Sequence, residues 1–338
     1  MLCCANCFGD SFLYKHISRN SLKTGECDIC STSNTQLINP DSLRDYFQPI
    51  VSIYSENNSV VAKQLVNWFQ DDWQIFSSLD YPKAQSLLGE ILGNSDFIGK
   101  LYYPRYSPDV PPVKKWADFR DEIMCENRFF YNHELDLDRL KELFDYLITN
   151  ESIVSGELFR ARIQKDHIQF LLEEMGKPPA NEAKNGRANP VGIPYLYLAS
   201  NPKTAIAETR PHPGDFLSVA KFLVINQMQL LNLINPRKSV SPFNVQEDDL
   251  SILRYDLDFL CLLDNELAKP ILPRVAALEY LPTQFISEFI KKCGYDGVVF
   301  KSSISDGVNV TLFDDSKVIA VELMQYEVTV LHYDQRQI

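Results

Sequence analysis

The chain has 338 residues, a formal net charge of −12 and 45% apolar residues. That length is too great for one small domain and points to two or three, while the apolar content is ordinary for a globular protein. The acidic balance disfavours non-specific binding to nucleic acid or to an anionic membrane, and no apolar run reaches the roughly 20 residues that span a bilayer.

The first feature in chain order is a cysteine array. The opening residues, MLCCANCFGD, lack a basic region followed by a long apolar run, so no secretory signal is expected and a cytoplasmic location is. Cys4-x2-Cys7 and Cys27-x2-Cys30 form a C-x2-C-x19-C-x2-C array. Each pair makes a knuckle that points two thiolates at one ion, and two knuckles joined by a hairpin close a tetrahedral zinc site. Gly9 and Gly25 suit the turns. Cys3 is a spare thiol, because its spacing to Cys7 makes a poorer knuckle, and His16 is read as a surface residue. A site with four thiolates leaves no open position, so the zinc is expected to be structural, in a zinc ribbon over residues 1–38. In so short a segment the metal supplies most of the folding free energy. The plain alternative is four unrelated thiols. Cys125, Cys261 and Cys293 stand alone and are read as buried small hydrophobes.

Residues 39–150 read as a helical domain. Apolar residues at helical spacing mark Ser42–Phe47, Ala62–Trp73, Ala84–Leu92 and Leu137–Ile148. Tyr102–Lys115 is rich in Pro and Tyr and reads as a loop fixed by contacts. Arg128-Phe129-Phe130-Tyr131-Asn132-His133 is an R-x4-H pattern, similar to that of helical HEPN-type ribonucleases. Here Phe follows the Arg where those nucleases carry a polar residue, and the chain is acidic. The favoured reading is an Arg and a His flanking a core aromatic cluster, in a domain used for support, oligomerisation or recognition of a trigger. A polar break at Thr149-Asn150-Glu151-Ser152 is taken as the border of the last domain, residues 151–338.

In that domain the pattern gives strands at Glu157–Ile163, Tyr195–Leu198, Phe216–Val224, Met228–Leu233, Gly297–Phe300, Val308–Phe313 and Tyr326–His332. Helices are expected at Asp249–Leu267 and Thr283–Lys292, and Lys177–Lys184 is a polar linker. Without regular βαβ alternation this predicts an α+β domain with a mostly antiparallel, split sheet. The stretch NGRANPVGIPYLYLASNPKTAIAETR, residues 185–210, is the centre of the domain. It has a turn-rich loop carrying Arg187, a strand carrying Tyr195 and Tyr197, and a short helix carrying Glu208. Asn201 is placed to cap that helix, Pro202 sits in its first turn and Pro211 stops it. Read alone, Arg160 and Arg162 are cations on one face of a strand, Tyr195 and Tyr197 are partners on one strand face, and Glu208 pairs with Arg210. There is no phosphate-binding P-loop, no Gly-rich dinucleotide fingerprint and no GxSxG elbow. His212, between two prolines, reads as a surface residue.

Three ordered blocks carry a family resemblance. They are Leu158-Phe159-Arg160-Ala161-Arg162; the stretch GRANP, YLYLAS and TAIAE; and Gly294–Ser303 followed by Gly307, Asn309 and Phe313. Together they resemble the RES-domain proteins, named for an Arg, a Glu and a Ser. That resemblance implies an ADP-ribosyltransferase-like fold and NAD+ as substrate. It also implies roles. Arg160, or failing it Arg162, would hold phosphate or ribose oxygens, and Arg187 would close its loop on the ligand. Tyr197 would lie against the cationic nicotinamide ring. Glu208 would stabilise the charge that develops on the anomeric carbon. Ser302, with Ser303 and Ser305 as competitors, and Asn309 would orient the ligand. Ala188 stands where the family commonly has an aromatic. The expected activity is an NAD+ glycohydrolase, by water or by phosphate, acting as a toxin or anti-phage effector, with a neutralising protein or trigger and a homo-oligomeric state. The alternatives are protein ADP-ribosylation, RNA cleavage by Arg128 and His133, and binding without turnover.

Overall fold

The computed structural model describes residues 1–149, 156–272 and 274–331. The expected border at Asn150–Ser152 and the end of the strand expected at Tyr326–His332 lie outside them. The chain divides into two compact units: Met1–Lys115 with Asn235–Cys261, and Trp116–Ile234 with Leu262–Ile338.

The first unit opens with a small antiparallel sheet of β1 (Cys3–Cys4), β2 (Lys23–Gly25) and β3 (Thr35–Ile38), with β3 in the middle. Helix α1 (Ser11–Asn20) starts at Asp10, whose carboxylate accepts from the Leu13 amide at 2.9 Å. Helices α2 (Arg44–Ser52), α3 (Leu65–Trp73) and α4 (Tyr81–Leu92) follow, with a hairpin of β4 (Tyr54–Glu56) and β5 (Tyr102–Pro104). Asp80 caps α4 and Gly93 ends it in the left-handed region. The rings of Phe8, Phe47, Phe69 and Phe76 pack into one buried cluster, with Phe47 5.9 Å from each of the other three. Burial of this kind contributes about 2–3 kcal/mol per ring. The segment expected to be one loop, 102–115, instead supplies β5 and the start of a helix at Pro112, since Pro suits a first helical turn.

The second unit contains helices α5 (Pro112–Cys125, from Trp116 on), α6 (Leu137–Asp145) and α7 (Pro202–Glu208), the end of a helix over Glu247–Ala268, and a helix over Leu281–Lys292. Its strands are β6 (Ile148–Thr149), β7 (Glu157–Ile163), β8 (Leu196–Ala199), β9 (Phe216–Val224), β10 (Leu230–Asn232), β11 (Gly297–Lys301), β12 (Val308–Leu312) and β13 (Val318–Glu327). They form one sheet in the order β13-β9-β7-β8-β12-β11-β10-β6. Neighbours are antiparallel except β10 and β11, so the sheet is mixed.

Strand pairing sorts the side chains onto two faces, because partners across an antiparallel pair share a face. Leu158, Leu196, Leu198, Ala220, Phe222, Val299 and Val310 are on one face and pack with Met175. Phe159, Ala161, Leu217 and Val219 are on the other, with Ile206 of α7. Tyr197 pairs with Thr311, and Ala199 pairs with both Phe159 and Asn309, so Tyr197 and Asn309 share the α7 face.

Two expectations change. β13 lies earlier than expected, because it is an edge strand, mostly exposed, whose register shifts between Ala320 and Glu322; this breaks the period-two signal. The three solitary cysteines are not core residues: Cys125 is exposed, and Cys261 and Cys293 are half-buried. Among the described residues no helix is long and apolar enough to cross a membrane.

Candidate functional site

In the second unit a cleft of about 340 Å³ opens on the α7 face of the sheet. Glu208 ends α7 as expected from its sequence. Asn201 Oδ1 accepts from the Thr204 amide at 2.8 Å, Pro202 occupies the first turn, and the helix stops at Glu208. The Glu208 carboxylate is fixed from the far side of the domain sequence. Its Oε1 accepts from Ser302 Oγ at 2.8 Å and from Asn309 Nδ2 at 2.6 Å. Asn309 is 9% exposed, so its amide is a rigid support. Glu208 Oε2 has no partner among the described residues. Ser303 lines the cleft directly, while Ser305 bonds Thr204 at 2.9 Å and braces α7.

Arg187, Arg210 and Lys301 line the same cleft, and Arg160 is a fourth cation in its lining. Arg187 Nη1 donates to the Glu266 carbonyl at 3.2 Å, and the guanidinium stands 5.7 Å from the centre of the Tyr280 ring. Burial lowers its pKa, and Tyr280, Glu208 and Tyr197 pull in the opposite direction. Among the described residues no carboxylate pairs with Arg210 or Lys301.

The Tyr197 hydroxyl is not directed at open space. It donates to Asn189 Oδ1 at 2.7 Å and accepts from the Ala188 amide at 3.0 Å, and burial raises its pKa. Tyr195, just before this strand, takes the purely structural place: it is 2% exposed and packs on Phe313 at 4.8 Å.

Arg160 shares the cleft lining with Glu208, and Arg162 does not. Arg160 pairs with Ala220 and Arg162 with Ser218, on the face opposite α7. Arg160 borders the cleft, but its guanidinium donates to the carbonyls of Met175 and Gly176. Arg162 donates to the Glu174 carbonyl at 2.7 Å and stacks on Phe170. Both brace the 170–176 segment. Burial, and then Arg162, hold the pKa of Arg160 down to about 10.

Arg128 and His133 also have structural partners. Glu122, 2% exposed, accepts from the His133 amide and Nδ1 at 2.8 Å each, and from the Asn132 amide and side chain at 2.7 and 2.9 Å. These bonds hold its carboxyl down at about 2. Arg128 contacts the Ile123 carbonyl at 3.5 Å. The aromatic cluster between them is only partly core. Tyr131 packs on Phe119, but Phe129 and Phe130 are 82% and 89% exposed.

In the first unit Cys4, Cys7, Cys27 and Cys30 converge, with all four sulfurs within 4.8 Å of one another. Cys4 and Cys30 are 3.5 Å apart, as are Cys7 and Cys27. Tetrahedral zinc with bonds of about 2.3 Å needs sulfurs just under 4 Å apart, so the donor set fits that ion. Hydrogen bonding, first from Cys7, pulls the Cys4 thiol below its ordinary range. Cys3, also buried, is outside the set.

Asn189, Tyr280, Thr283 and Gln284 are not apparent from the sequence as site residues. Only Asn189 has a local signal, the Asn-Pro turn.

A search of curated proteins returns no match. Among solved structures, the M. tuberculosis MbcT-MbcA toxin-antitoxin complex aligns with a TM-score of 0.34 and 14% identity, covering 56% of this chain and 92% of that one. The family model described as the RES domain matches residues 157–331, just over half of the chain and the whole span from the Arg160 strand to β13. The chain therefore belongs to the RES-domain family.

Proposed function

We propose that this protein is an NAD+ glycohydrolase. The observation that carries the reading is Glu208, a carboxylate held on one oxygen by Ser302 and Asn309 in a cleft also lined by cations. NAD+ offers a match for each part. Arg187, Arg210 and Lys301 suit the pyrophosphate, and the Arg187–Tyr280 wall suits a planar ring. Glu208 suits the ribose whose anomeric carbon becomes positive as nicotinamide leaves. A preorganised carboxylate favours that charge more in the transition state than in the ground state. Nicotinamide departs with the bonding electron pair as a neutral base. Water adds at the anomeric carbon and gives up one proton, so NAD+ and water yield nicotinamide, ADP-ribose and H+. The leaving group needs no acid, and one carboxylate suffices.

On this reading Arg160, bonded to the Met175 and Gly176 carbonyls, supports the 170–176 segment, and Arg187, Arg210 and Lys301 take the phosphate role expected of it. A protein that drains NAD+ without restraint would harm its own cell. The proposal thus includes a trigger or neutralising partner, in a toxin or anti-phage setting. The cysteine cluster is proposed to hold structural zinc, and the chain to comprise zinc-ribbon, helical and NAD+-consuming parts.

The test is chromatography of NAD+ incubated with the purified chain. Equal amounts of nicotinamide and ADP-ribose are expected, and both should vanish with Glu208→Ala. A phosphorylated ribose product in phosphate buffer would indicate phosphorolysis, and labelled protein would indicate ADP-ribosyl transfer. Full NAD+ consumption by Glu208→Ala would overturn the reading.

A further inference from the structure

The loop that carries Arg187 is fastened from two sides by side chains. From the sheet, the Tyr197 hydroxyl takes the Ala188 amide and gives its proton to Asn189 Oδ1. From the helix over Leu281–Lys292, Gln284 Nε2 lies 2.7 Å from Asn185 Oδ1, 2.8 Å from the Gly186 carbonyl and 3.0 Å from the Asn189 carbonyl. Gln284 is 5% exposed, and its amide is the donor that these three oxygens share. Next to it, Thr283 Oγ1 donates to the carbonyl of Arg187 itself at 2.7 Å. The loop has no slack. A Cβ on Gly186 would stand 2.2 Å from Asn189 Oδ1 and 2.6 Å from the Tyr197 oxygen.

Such double fastening is costly to leave half made. A buried amide or carbonyl stripped of its partner bears the full desolvation penalty of that group. The arrangement is that of a preset loop rather than one that closes on its ligand, and presetting saves the ordering cost at binding. We propose that Tyr197 and Gln284 are positioning residues, which clamp residues 185–189 so that Arg187 stands ready at the cleft before any ligand arrives. The structural half of this proposal is independent of the ligand; its kinetic half rests on the dinucleotide reading above.

The test uses the full chain with Tyr197→Phe, Gln284→Leu, and each combined with Arg187→Ala. Tyr197→Phe keeps the ring, so a role limited to stacking predicts no change. The clamp predicts that hydrogen exchange over residues 184–190, without ligand, quickens about tenfold or more in either variant, as expected for loss of one buried hydrogen bond. The rest of the sheet should be unaffected. It also predicts that KM for NAD+ rises about tenfold while kcat changes little, the mark of lost uniform binding. That rise should disappear when Arg187 is already Ala, since the clamp acts through it. Unchanged exchange in Tyr197→Phe, or a KM effect that adds in full to Arg187→Ala, overturns the proposal. If Gln284→Leu does not fold, Tyr197→Phe decides alone. If the native chain consumes no NAD+, the dinucleotide reading fails, and the exchange measurement still decides the clamp.

Discussion

At the scale of single residues, a carboxylate is useful only where its charge and direction are both fixed. Asn309 and Ser302 hold Glu208 by one oxygen. Removing Asn309 keeps the charge but frees its direction. We expect Asn309→Ala to lower kcat about ten- to hundredfold with little change in KM, a smaller loss than Glu208→Gln, which removes the charge and should cost about a hundred- to a thousandfold. Steady-state kinetics of the two variants on NAD+ check the order; equal losses would mean that Asn309 supports the fold and not the carboxylate's aim. A second carboxylate, Glu122, serves structure. Its pKa is depressed to about 2 by four bonds from Asn132 and His133. A depressed folded-state pKa gives stability that is present above the ordinary carboxyl range and is lost as pH falls through about 2. The 127–133 turn should therefore stay protected from exchange at neutral pH and open in acid. Glu122→Gln should open it at neutral pH, with NAD+ turnover unchanged.

At the scale of elements, the site depends on α7 being pressed against the loop before β12. Gly307 makes that possible: a Cβ there would stand 2.1 Å from Thr204 Oγ1, 2.7 Å from Asn201 Nδ2 and 2.9 Å from Ser200 Oγ. Gly307→Ala should push the helix away and carry Glu208 from Asn309, lowering turnover more than Asn201→Ala does. The latter removes a cap bond worth about 1 kcal/mol. Turnover and thermal unfolding of both variants test this; the reverse order would show that the cap, not the close approach, sets α7.

How much of this was legible in the sequence depends on range. The capped helix ending at Glu208 was legible, because its signals, Asn201, Pro202 and Pro211, lie within ten residues. The shared face of Arg160 and Arg162 was legible from period two. Which face holds the cleft was not, since that depends on pairing with β9 some sixty residues away. Gln284 and Tyr280 stayed hidden for the same reason: they meet the 185–189 loop across roughly a hundred residues of chain. β13 was misplaced because an exposed, bulged edge strand carries little alternation.

At the scale of the whole molecule, the compact units begin and end at points that composition does not mark. The helix Glu247–Ala268 is continuous through the border at Cys261, and so is α5 through Lys115. The first unit's sheet is a different case: β1, β2 and β3 have two, three and four residues, too few to bury much apolar surface. Four thiols brought within 4.8 Å by two turns supply what such a sheet lacks. Zinc binding there would be folding free energy, because the ligand set does not exist in the unfolded chain. The purified chain should carry a single zinc. Cys27→Ser should lose it, and its first unfolding transition should fall by about 5 °C or more, as for a loss of a few kcal/mol. A chelator should shift the native chain in the same direction and leave Cys27→Ser unmoved. NAD+ turnover measured well below that transition should survive in both, since a metal at this cluster would serve to hold β1 to β3 together. Metal analysis that finds no zinc in the native chain, or a chelator that leaves its unfolding unchanged, would remove the claim.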